Sequence, residues 1–391
     1  MRGAGAGRKP ISEHMEEILF EFIFNLRMAK RQVKRTLIKS KALEIAKDLD
    51  LSDFKASTGW LRRFLRRYDL TLRRATNLTR LSDMEVVSRA VHYFSYLHSV
   101  REKYYPSDVI LMDETAVFFE TTARHTIDVT GARHVVMSTT GYSSMRITSI
   151  LAVRGNGTRC MPANIFKEKY SSATMINGCY TFTNVRAWVD SKLLCEWLDI
   201  VFPRVLRGVR RGLIIWDSCR AHISKAVKDH CKSINVDMVV IPGGMTSYLQ
   251  AGDLCYYKPF KDVLNTYIEE WKDGPSVQYT PKGNPKPPGK SCVNGWVRLS
   301  WRCVSEDLIL KGLGLCGLGG SVEQTFIANH DVYGENVIDA WNELQEAGQR
   351  VIVQEPGADD LGDETVVCDD EVEEENGVKD YNETDNNIDK N

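Results

Sequence analysis

The sequence predicts an α+β multidomain protein, in which an N-terminal three-helix helix-turn-helix domain precedes an α/β domain. Two observations predict this fold class. Apolar residues recur at helical spacing in the N-terminal region, whereas from Asp108 the pattern changes to short apolar runs separated by glycine-containing turns. With 391 residues, 43% of them hydrophobic, the chain is long enough for two or three domains with sizeable cores.

Charge is unevenly distributed along the chain, although the formal net charge is only -1. Residues 1–80 carry 19 lysine and arginine residues against 9 acidic ones, and residues 355–391 carry 2 against 15. A basic head of this kind favours a polyanionic partner. The acidic tail is low in aromatic residues and is predicted to be disordered. Two roles stay open for it: solubility, or an intramolecular DNA mimic that competes for the basic head.

Cysteine spacing and hydropathy exclude several classes of protein. The ten cysteines are scattered without a Cys-x-x-Cys pair, which predicts free thiols in a reducing compartment and argues against a disulfide scaffold or a zinc finger. No apolar run approaches the length that spans a bilayer, and the N-terminus lacks an apolar signal core. We therefore expect a soluble intracellular protein with no membrane partner.

The N-terminal region is predicted to hold three helices after a flexible, basic arm at residues 1–10. Their expected bounds are Ser12–Met28, Thr36–Leu49 and Thr58–Tyr68. On the third helix, Trp60 and Phe64 fall on an apolar face opposite a stripe of arginines. A lone charged stripe is usually a solvated face. This stripe follows a compact three-helix pattern and continues beyond the helix, so we predict that residues 11–75 bind DNA with the third helix in the major groove.

The basic residues on and around the third helix are the candidate DNA contacts. Most of them are expected to meet phosphates, and only a few to read bases. Trp60 and Phe64 should belong to the core. The candidate contacts are Lys55, Ser57, Thr58, Arg62, Arg63, Arg66, Arg67, Arg73 and Arg74.

The rest of the chain predicts a helical connector, a meander of strands, and then alternating helices and strands. Strands are expected at Val109–Phe119, Thr126–Thr130, Val135–Ser138, Arg146–Val153, Met161–Phe166, Leu213–Asp217 and Val236–Ile241. Helices are expected at Trp188–Phe202, Ser224–Ser233, Tyr256–Trp271, Trp296–Leu315, where Gly312–Gly320 should spoil the end, and Asp331–Ala347. This order suits a ribonuclease H-like arrangement, in which carboxylates from two central strands and one helix converge on two hard cations.

Three aspartates follow apolar runs or open a helix. Asp113, Asp217 and Asp253 occupy these positions, where an isolated carboxylate is costly unless a cation meets it. They therefore suggest a divalent metal site, although aspartates outside a motif are often caps or turn residues. Glu114 is the neighbour of Asp113 in a strand and should point the opposite way, so we exclude it from the set.

Several motifs occur together in a fixed order. They are Gly-Arg-Lys-Pro near the start, Phe-Lys-Ala-Ser-Thr-Gly-Trp-Leu-Arg-Arg-Phe at 54–64, Met-Asp-Glu-Thr-Ala-Val at 112–117, Trp-Asp-Ser-Cys-Arg-Ala-His at 216–222, Ile-Pro-Gly-Gly-Met-Thr-Ser-Tyr-Leu-Gln at 241–250, and Lys-Pro-Phe-Lys at 258–261. The three aspartates are separated by 104 and 36 residues. Over about residues 8–330 the chain resembles a pogo-family transposase, a mariner-type DDE/DDD enzyme that pairs a centromere protein B-type helix-turn-helix with a ribonuclease H-like nuclease.

The resemblance implies roles for particular residues. Asp113, Asp217 and Asp253 match the catalytic aspartates, which would hold two Mg²⁺ (or Mn²⁺) ions for endonuclease cleavage and strand transfer on double-stranded DNA. His222 and Lys258 match motif positions, for which structural support and phosphate contact stay equally open. The implied setting is the nucleus, with a homodimer on paired DNA ends and no small-molecule cofactor.

The sequence also departs from the family pattern. It starts within the linker that normally follows a further helix-turn-helix, which predicts weaker or less specific DNA binding. Gly252 stands before Asp253 where the family has a stiffer residue, and could loosen the third ligand. An alternative is therefore a domesticated or truncated copy that binds DNA without nuclease activity. The expected segments are 1–10 (arm), 11–75 (helix-turn-helix), 76–107 (connector), 108–330 (nuclease), 331–354 (helical segment) and 355–391 (tail).

Overall fold

The structure is a computed structural model that describes the greater part of the chain outside its two ends. The described residues are 10–73, 81–119, 134, 146–202, 210–272, 274–275, 277–279, 281 and 286–347. The chain forms two compact units, Met1–Leu78 and Thr79–Asn391. The predicted strands Thr126–Thr130 and Val135–Ser138, the N-terminal arm and the acidic tail lie outside the described residues.

The first unit contains the three predicted helices, α1 (Glu13–Met28), α2 (Arg35–Asp48) and α3 (Thr58–Arg67). Ser12 and Ser57 cap α1 and α3, since each side chain accepts a hydrogen bond from a backbone N–H three residues on. Trp60 and Phe64 of α3 are buried in the core of the unit, as predicted. The helical pattern in the sequence is therefore confirmed here to within one or two residues.

The second unit is built on a seven-stranded mixed sheet. Its strands are β1 (Val109–Phe118), β2 (Arg146–Arg154), β3 (Ala163–Lys167), β4 (Ser171–Ile176), β5 (Cys179–Asn184), β6 (Gly212–Asp217) and β7 (Val236–Ile241). Their order across the sheet is β4-β5-β3-β2-β1-β6-β7. β2 runs antiparallel to β1, whereas β6 runs parallel to it and β7 parallel to β6. β1 thus lies inside the sheet, between antiparallel β2 and parallel β6.

Helices cover both faces of this sheet. They are α4 (Asp83–Arg101), α5 (Ser191–Val201), α6 (Lys225–Ser233), α7 (Thr246–Leu249), α8 (Tyr257–Lys272), α9 (Lys290–Cys303), α10 (Glu306–Leu315) and α11 (Gly334–Glu346). Along β1, Leu111 packs in the same core as α4 and α8 to α11, whereas Ile110 and Met112 pack with α5 and α6. The three-layer arrangement is ribonuclease H-like, as the sequence predicts. None of the described helices combines the length and the apolar character needed to cross a membrane.

The helix predicted as a connector is part of this core. Phe94 and Leu97 of α4 are fully buried in the core cluster that also includes residues of β1 and α8. The capping box of Ser82 and Glu85 fixes the start of α4. α4 is therefore a structural helix of the second unit.

Three local differences from the predicted elements have clear physical causes. The β4–β5 hairpin was missed, although Asn177 and Gly178 both adopt positive φ, as a two-residue hairpin turn requires. The strand predicted at Met161–Phe166 begins only at Ala163, just after Pro162, which has no backbone N–H to donate. The helix predicted at Trp296–Leu315 is in fact two helices, α9 and α10.

The break between α9 and α10 lies at Val304 and Ser305. Ser305 caps α10 by accepting the N–H of Leu308 at 3.2 Å. The expectation that glycines spoil the helix was wrong for Gly312 and Gly314, since α10 continues through both to Leu315. A Cβ at Gly312 would approach the backbone oxygen of Ala251 at 3.3 Å, so close packing accounts for this glycine.

Candidate functional site

Two of the predicted aspartates lie on neighbouring strands, Asp113 in the middle of β1 and Asp217 at the end of β6. β1 and β6 pair in parallel, with Leu111 opposite Ile215. Asp113 and Asp217 follow two residues further along their strands, so both side chains belong to the same face of the sheet. Parallel pairing therefore brings together two carboxylates that are 104 residues apart in the sequence.

Asp253 lies in a π-helical turn, Gly252–Tyr256, immediately before α8. The negative charge of Asp253 affects the pKa of Asp113. Burial is the main cause that raises the pKa of Asp113 well above its usual value, and the charge of Glu114 raises it further. The charges of Asp253 and Asp217 act on this pKa in the same direction. The three predicted aspartates therefore share one electrostatic environment.

The three carboxylates do not close into one tight cluster. Across the ranges that the structure describes, one set of three ligand-type side chains has donor atoms all within 4.8 Å of one another, and it consists of Asp217, Cys219 and His222. Asp113 and Asp253 are outside this set, and Asp253 is exposed to solvent. Two of the predicted residues thus lie on adjacent strands, and the third lies on a separate turn, where it is exposed.

His222 contacts two carboxylates, one on β1 and one on β6. Its side chain is fully buried, with Nδ1 2.7 Å from Asp217 and Nε2 3.0 Å from Glu114. Its ring stacks on Trp216 at 4.9 Å. Burial alone would lower the pKa of His222, but the two carboxylates outweigh it and hold this pKa well above its usual value. This buried geometry favours structural support over a phosphate contact.

The same contact affects the ionisation of Asp217. Burial would raise the pKa of this carboxyl, but the hydrogen bond and charge of His222 and the N–H of Cys219 outweigh it, so the pKa is lowered. Asp217 is therefore held as a carboxylate, in contrast to Asp113 on the neighbouring strand.

Glu114 takes part in the site although it was set aside in the sequence. Glu114 accepts a hydrogen bond from His222, which lies 108 residues further along the chain. His222 in turn packs on Trp216, whose cluster includes Met112 and not Leu111. The alternation of the strand thus separates Glu114 from Asp113, while His222 links it back to Asp217. No spacing in the sequence signals this link.

Lys258 occupies a different kind of position. Its side chain is 85% exposed on the first turn of α8 and pairs with Asp262 at 2.8 Å. A surface pair of this kind holds its lysine only weakly. Lys258 is therefore accessible to a phosphate of an incoming ligand, whereas His222 is not.

Gly252 and Tyr257 pack together beneath Asp253. A Cβ at Gly252 would lie 2.5 Å from the ring carbon Cζ of Tyr257. The Tyr257 hydroxyl is buried and makes no hydrogen bond of normal geometry within the described part of the chain. Burial first, and the charge of Asp113 second, raise the pKa of Tyr257 well above its usual value. The glycine is thus required for space, which differs from the expectation that it merely loosens the turn.

The donor set fits hard divalent cations. Asp113, Asp217 and Asp253 offer carboxylate oxygens, which Mg²⁺ and Mn²⁺ prefer. Their repulsion contributes to the raised pKa of Asp113, and a bound cation would offset it. The buried hydroxyl of Tyr257 is a further polar group beside Asp113.

Most of the predicted DNA contacts are displayed on the surface of the first unit. Lys55, Arg62, Arg66 and Arg73 are exposed, and Arg63 is half-buried. Two others have local partners. Ser57 caps α3, and the hydroxyl of Thr58 accepts a hydrogen bond from Lys39 at 3.0 Å. Arg74 lies outside the described residues.

Arg67 differs from the other arginines of α3, because its guanidinium pairs with a carboxylate of the same unit. Its Nε donates to Glu16 Oε2 at 2.9 Å, and a second nitrogen donates to Oε1 of the same carboxylate. Glu16 is only 1% exposed and also accepts the indole N–H of Trp60 at 3.0 Å. Arg67 therefore has a structural role, the neutralisation of a buried carboxylate, and its contact with DNA stays a prediction.

Comparison with known proteins places the chain among transposases. The model of the Tc5 transposase DNA-binding domain matches residues 12–74, and that of the DDE superfamily endonuclease matches residues 144–312. A relative is the Homo sapiens "Pogo transposable element with KRAB domain", 29% identical over 330 residues, which cover 83% of this chain and 54% of that protein. The Homo sapiens "Major centromere autoantigen B" is 43% identical over 56 residues, 14% of this chain and 9% of that protein.

Solved structures agree with the fold. The Mos1 strand transfer complex matches with a TM-score of 0.51 at 12% identity, covering 81% of this chain and 78% of that chain. A pre-cleavage Mos1 transpososome matches with a TM-score of 0.51 at 11% identity, covering 86% of this chain and 82% of that chain. At this identity the likeness shows the fold alone.

The fold and the matched domains define a transposase-type protein, in which a helix-turn-helix DNA-binding domain precedes a DDE endonuclease domain. The two domain matches, together with the similarity to pogo-element proteins and centromere autoantigen B, support a pogo-family, transposase-derived protein. It spans about half the length of the pogo relatives that it matches.

Proposed function

We propose that this protein is a nuclear, metal-dependent DNA endonuclease and strand-transferase that acts on double-stranded DNA. Asp113, Asp217 and Asp253 would hold two Mg²⁺ (or Mn²⁺) ions. The observation that supports the proposal is the placement of Asp113, within β1, and Asp217, at the end of β6, on the same face of two adjacent parallel strands, with the charge of Asp253 acting on Asp113. A pair of copies on paired DNA ends is part of the proposal, because a Mos1 structure of the same fold is a paired-end complex with a transposon end.

The proposed chemistry divides between the cations and the side chains. When bound, the cations would activate water or a 3′-hydroxyl and stabilise the charge of an in-line phosphoryl transfer. The residues of the chain prepare the site. His222 and the N–H of Cys219 hold Asp217 ionised, and Glu114 fixes the ring of His222. Lys258 is exposed on α8, where it can meet a phosphate of the DNA backbone.

A cleavage assay tests the nuclease. We expect the wild type to cleave duplex DNA carrying its transposon ends in Mg²⁺ or Mn²⁺, and a chelator to stop the cleavage. Asp217→Asn should abolish cleavage with the fold retained, because the amide removes one of the charges that holds a cation. Asp262→Asn is the matched control, since the carboxylate of this exposed aspartate pairs with Lys258 at the surface of α8, and it should cleave normally. An Asp217→Asn variant as active as the wild type rules out the metal role.

A second candidate function is DNA binding without cleavage. One observation favours it: the donor atoms of Asp253 do not join those of Asp217 in a set within 4.8 Å among the described residues. In this case the fold serves as a scaffold, and the first unit carries the function. The same assay separates the two candidates, because a wild type that binds duplex DNA but is inert in both Mg²⁺ and Mn²⁺ supports binding alone.

The DNA-binding part of the proposal rests on the exposed arginines of α3. Each phosphate contact contributes about 0.9 to the slope of log affinity against log salt, so replacing Arg62, Arg63 and Arg66 with Ala should reduce this slope by up to about 3. The triple Lys variant keeps the charge and should keep the slope. Binding isotherms at several salt concentrations measure both. An Ala variant with an unchanged slope contradicts the assignment of α3 to DNA.

A further inference from the structure

A second, softer set of donor atoms lies beside the proposed catalytic aspartates. The carboxylate of Asp217, the thiol of Cys219 and the imidazole of His222 have donor atoms all within 4.8 Å of one another. A tight turn produces this arrangement. Asp217 Oδ1 accepts the N–H of Cys219 at 3.0 Å, and the carbonyl of Cys219 accepts the N–H of His222 at 2.9 Å. These hydrogen bonds fix the backbone of the turn and therefore the positions of the three Cα atoms.

The chemistry of this set differs from that of the three aspartates. One oxygen, one sulfur and one nitrogen form a ligand set typical of zinc, whereas Mg²⁺ avoids thiols. Bonds of about 2.0–2.3 Å let one ion span donor atoms up to about 4.6 Å apart. Small side-chain shifts therefore suffice to close the set around a single ion. Cys219 is exposed, so an ion can reach it from solvent.

Glu114 supplies the outer partner that such a site needs. Histidines that bind a metal usually donate their other ring N–H to a carboxylate, which fixes the ring and raises its basicity. Here His222 Nε2 lies 3.0 Å from Glu114, which leaves Nδ1 directed at Asp217. Stacking on Trp216 further restricts the ring. The ring is therefore already oriented for metal binding through Nδ1.

We propose that Asp217, Cys219 and His222 form a binding site for a thiophilic divalent cation such as Zn²⁺ or Cd²⁺, supported by Glu114 and open to solvent at its fourth position. The site shares Asp217 with the proposed hard-metal set. Occupation by a soft cation therefore competes with the use of Asp217 for Mg²⁺ or Mn²⁺. The site does not depend on nuclease activity, and it binds its ion whether or not the protein cleaves DNA.

Cadmium titration of the full chain tests the site. Cd²⁺ bound to a thiolate gives an ultraviolet charge-transfer absorption, which we expect to saturate with one site that Cys219→Ser removes. Cys303→Ser is the matched control, since Cys303 is also an exposed cysteine but belongs to no such set among the described side chains. Equal cadmium binding by the wild type and Cys219→Ser overturns the proposal.

Two further variants test the other ligands without replacing buried His222. Glu114→Gln should weaken cadmium binding by roughly 10- to 100-fold, as loss of an outer carboxylate partner does elsewhere. Asp217→Asn should weaken it as well, and excess Mn²⁺ should reduce cadmium affinity in the wild type. Unchanged affinity in Glu114→Gln and Asp217→Asn overturns the assignment. Because the readout is binding, an inactive nuclease leaves the result intact.

Discussion

At the scale of single residues, Glu16 is a charged side chain inside a small helical core. Burial of an isolated carboxylate is costly, so its three hydrogen bonds from Trp60 and Arg67 are a condition for folding. The pair also links the start of α1 to the end of α3. One arginine of the basic stripe therefore orients the helix whose other arginines are proposed to meet DNA.

Arg67→Met should destabilise the first unit by roughly 3–5 kcal/mol, because it leaves the buried charge of Glu16 without its partner. Arg66→Met, one residue away and exposed, should change stability by less than about 0.5 kcal/mol. Hydrogen exchange of peptides from residues 13–67 measures both in the full chain. Equal protection in the two variants contradicts the structural role of Arg67.

Residue-level prediction from the sequence succeeded where the signal was local. The apolar runs that contain or precede Asp113 and Asp217 predicted strands, and the structure places Asp113 within β1 and Asp217 at the end of β6. The roles of Glu16 and Glu114 could not be predicted, because their partners lie 51 and 108 residues away. A carboxylate at a helix or strand position has no sequence feature that names such a distant partner.

At the scale of elements, hydrophobic periodicity predicted α1 to α3, β1, β6 and β7 to within a few residues. The hairpin of β4 and β5 was also predictable, since Asn177-Gly178 is a typical hairpin turn. The π-helical turn was not, because such turns arise from packing and not from a residue pattern. The local environment of Asp253 is thus the least predictable part of the candidate site.

Gly252→Ala should destabilise the second unit by about 1–3 kcal/mol, as added volume does in a packed core. The new Cβ would lie 2.5 Å from Cζ of Tyr257, a ring that is itself buried. Gly319→Ala is the control, since a Cβ there meets nothing within 4 Å. Urea denaturation gives both midpoints. A neutral Gly252→Ala shows that Tyr257 can move, and contradicts the requirement for space.

At the scale of the whole molecule, the order of elements predicted a ribonuclease H-like arrangement with carboxylates on two neighbouring strands and on a helix, and the structure has this fold, with Asp113 and Asp217 on β1 and β6. The order of elements could not predict that β5 inserts beside β3 in parallel, because that pairing depends on long-range packing. The second unit also joins its first and last described helices. His98 of α4 meets Trp341 of α11 at 5.3 Å between ring centres.

The burial of His98 beside Trp341 makes the stability of the second unit sensitive to acid. Burial first, and Arg101 second, lower the pKa of His98. The folded unit therefore binds fewer protons than the unfolded chain, whose histidines titrate near about 6.5. The contribution of His98 is fully present above that pH and is lost as the pH falls through it toward the lower folded pKa.

His98→Phe keeps an aromatic ring beside Trp341 but cannot take up a proton. We expect the wild type to lose more stability than this variant when the pH is lowered from about 7.5 to about 5.5. The comparison cancels groups common to both proteins, including Asp113 and His222. Thermal denaturation at the two pH values measures the difference, and parallel losses would contradict the role of His98.

The π-helical turn before α8 makes the third carboxylate depend on residue number as well as residue type. The N–H of Tyr257 reaches back five residues to Gly252, one more than in an α-helix. Each helical residue rotates the chain by about 100°. Deleting one of residues 254–256 would therefore restore ordinary helical spacing and rotate Asp253 away from Asp113. The resulting chain would keep all three aspartates in its sequence, but the charge of Asp253 would no longer act on Asp113.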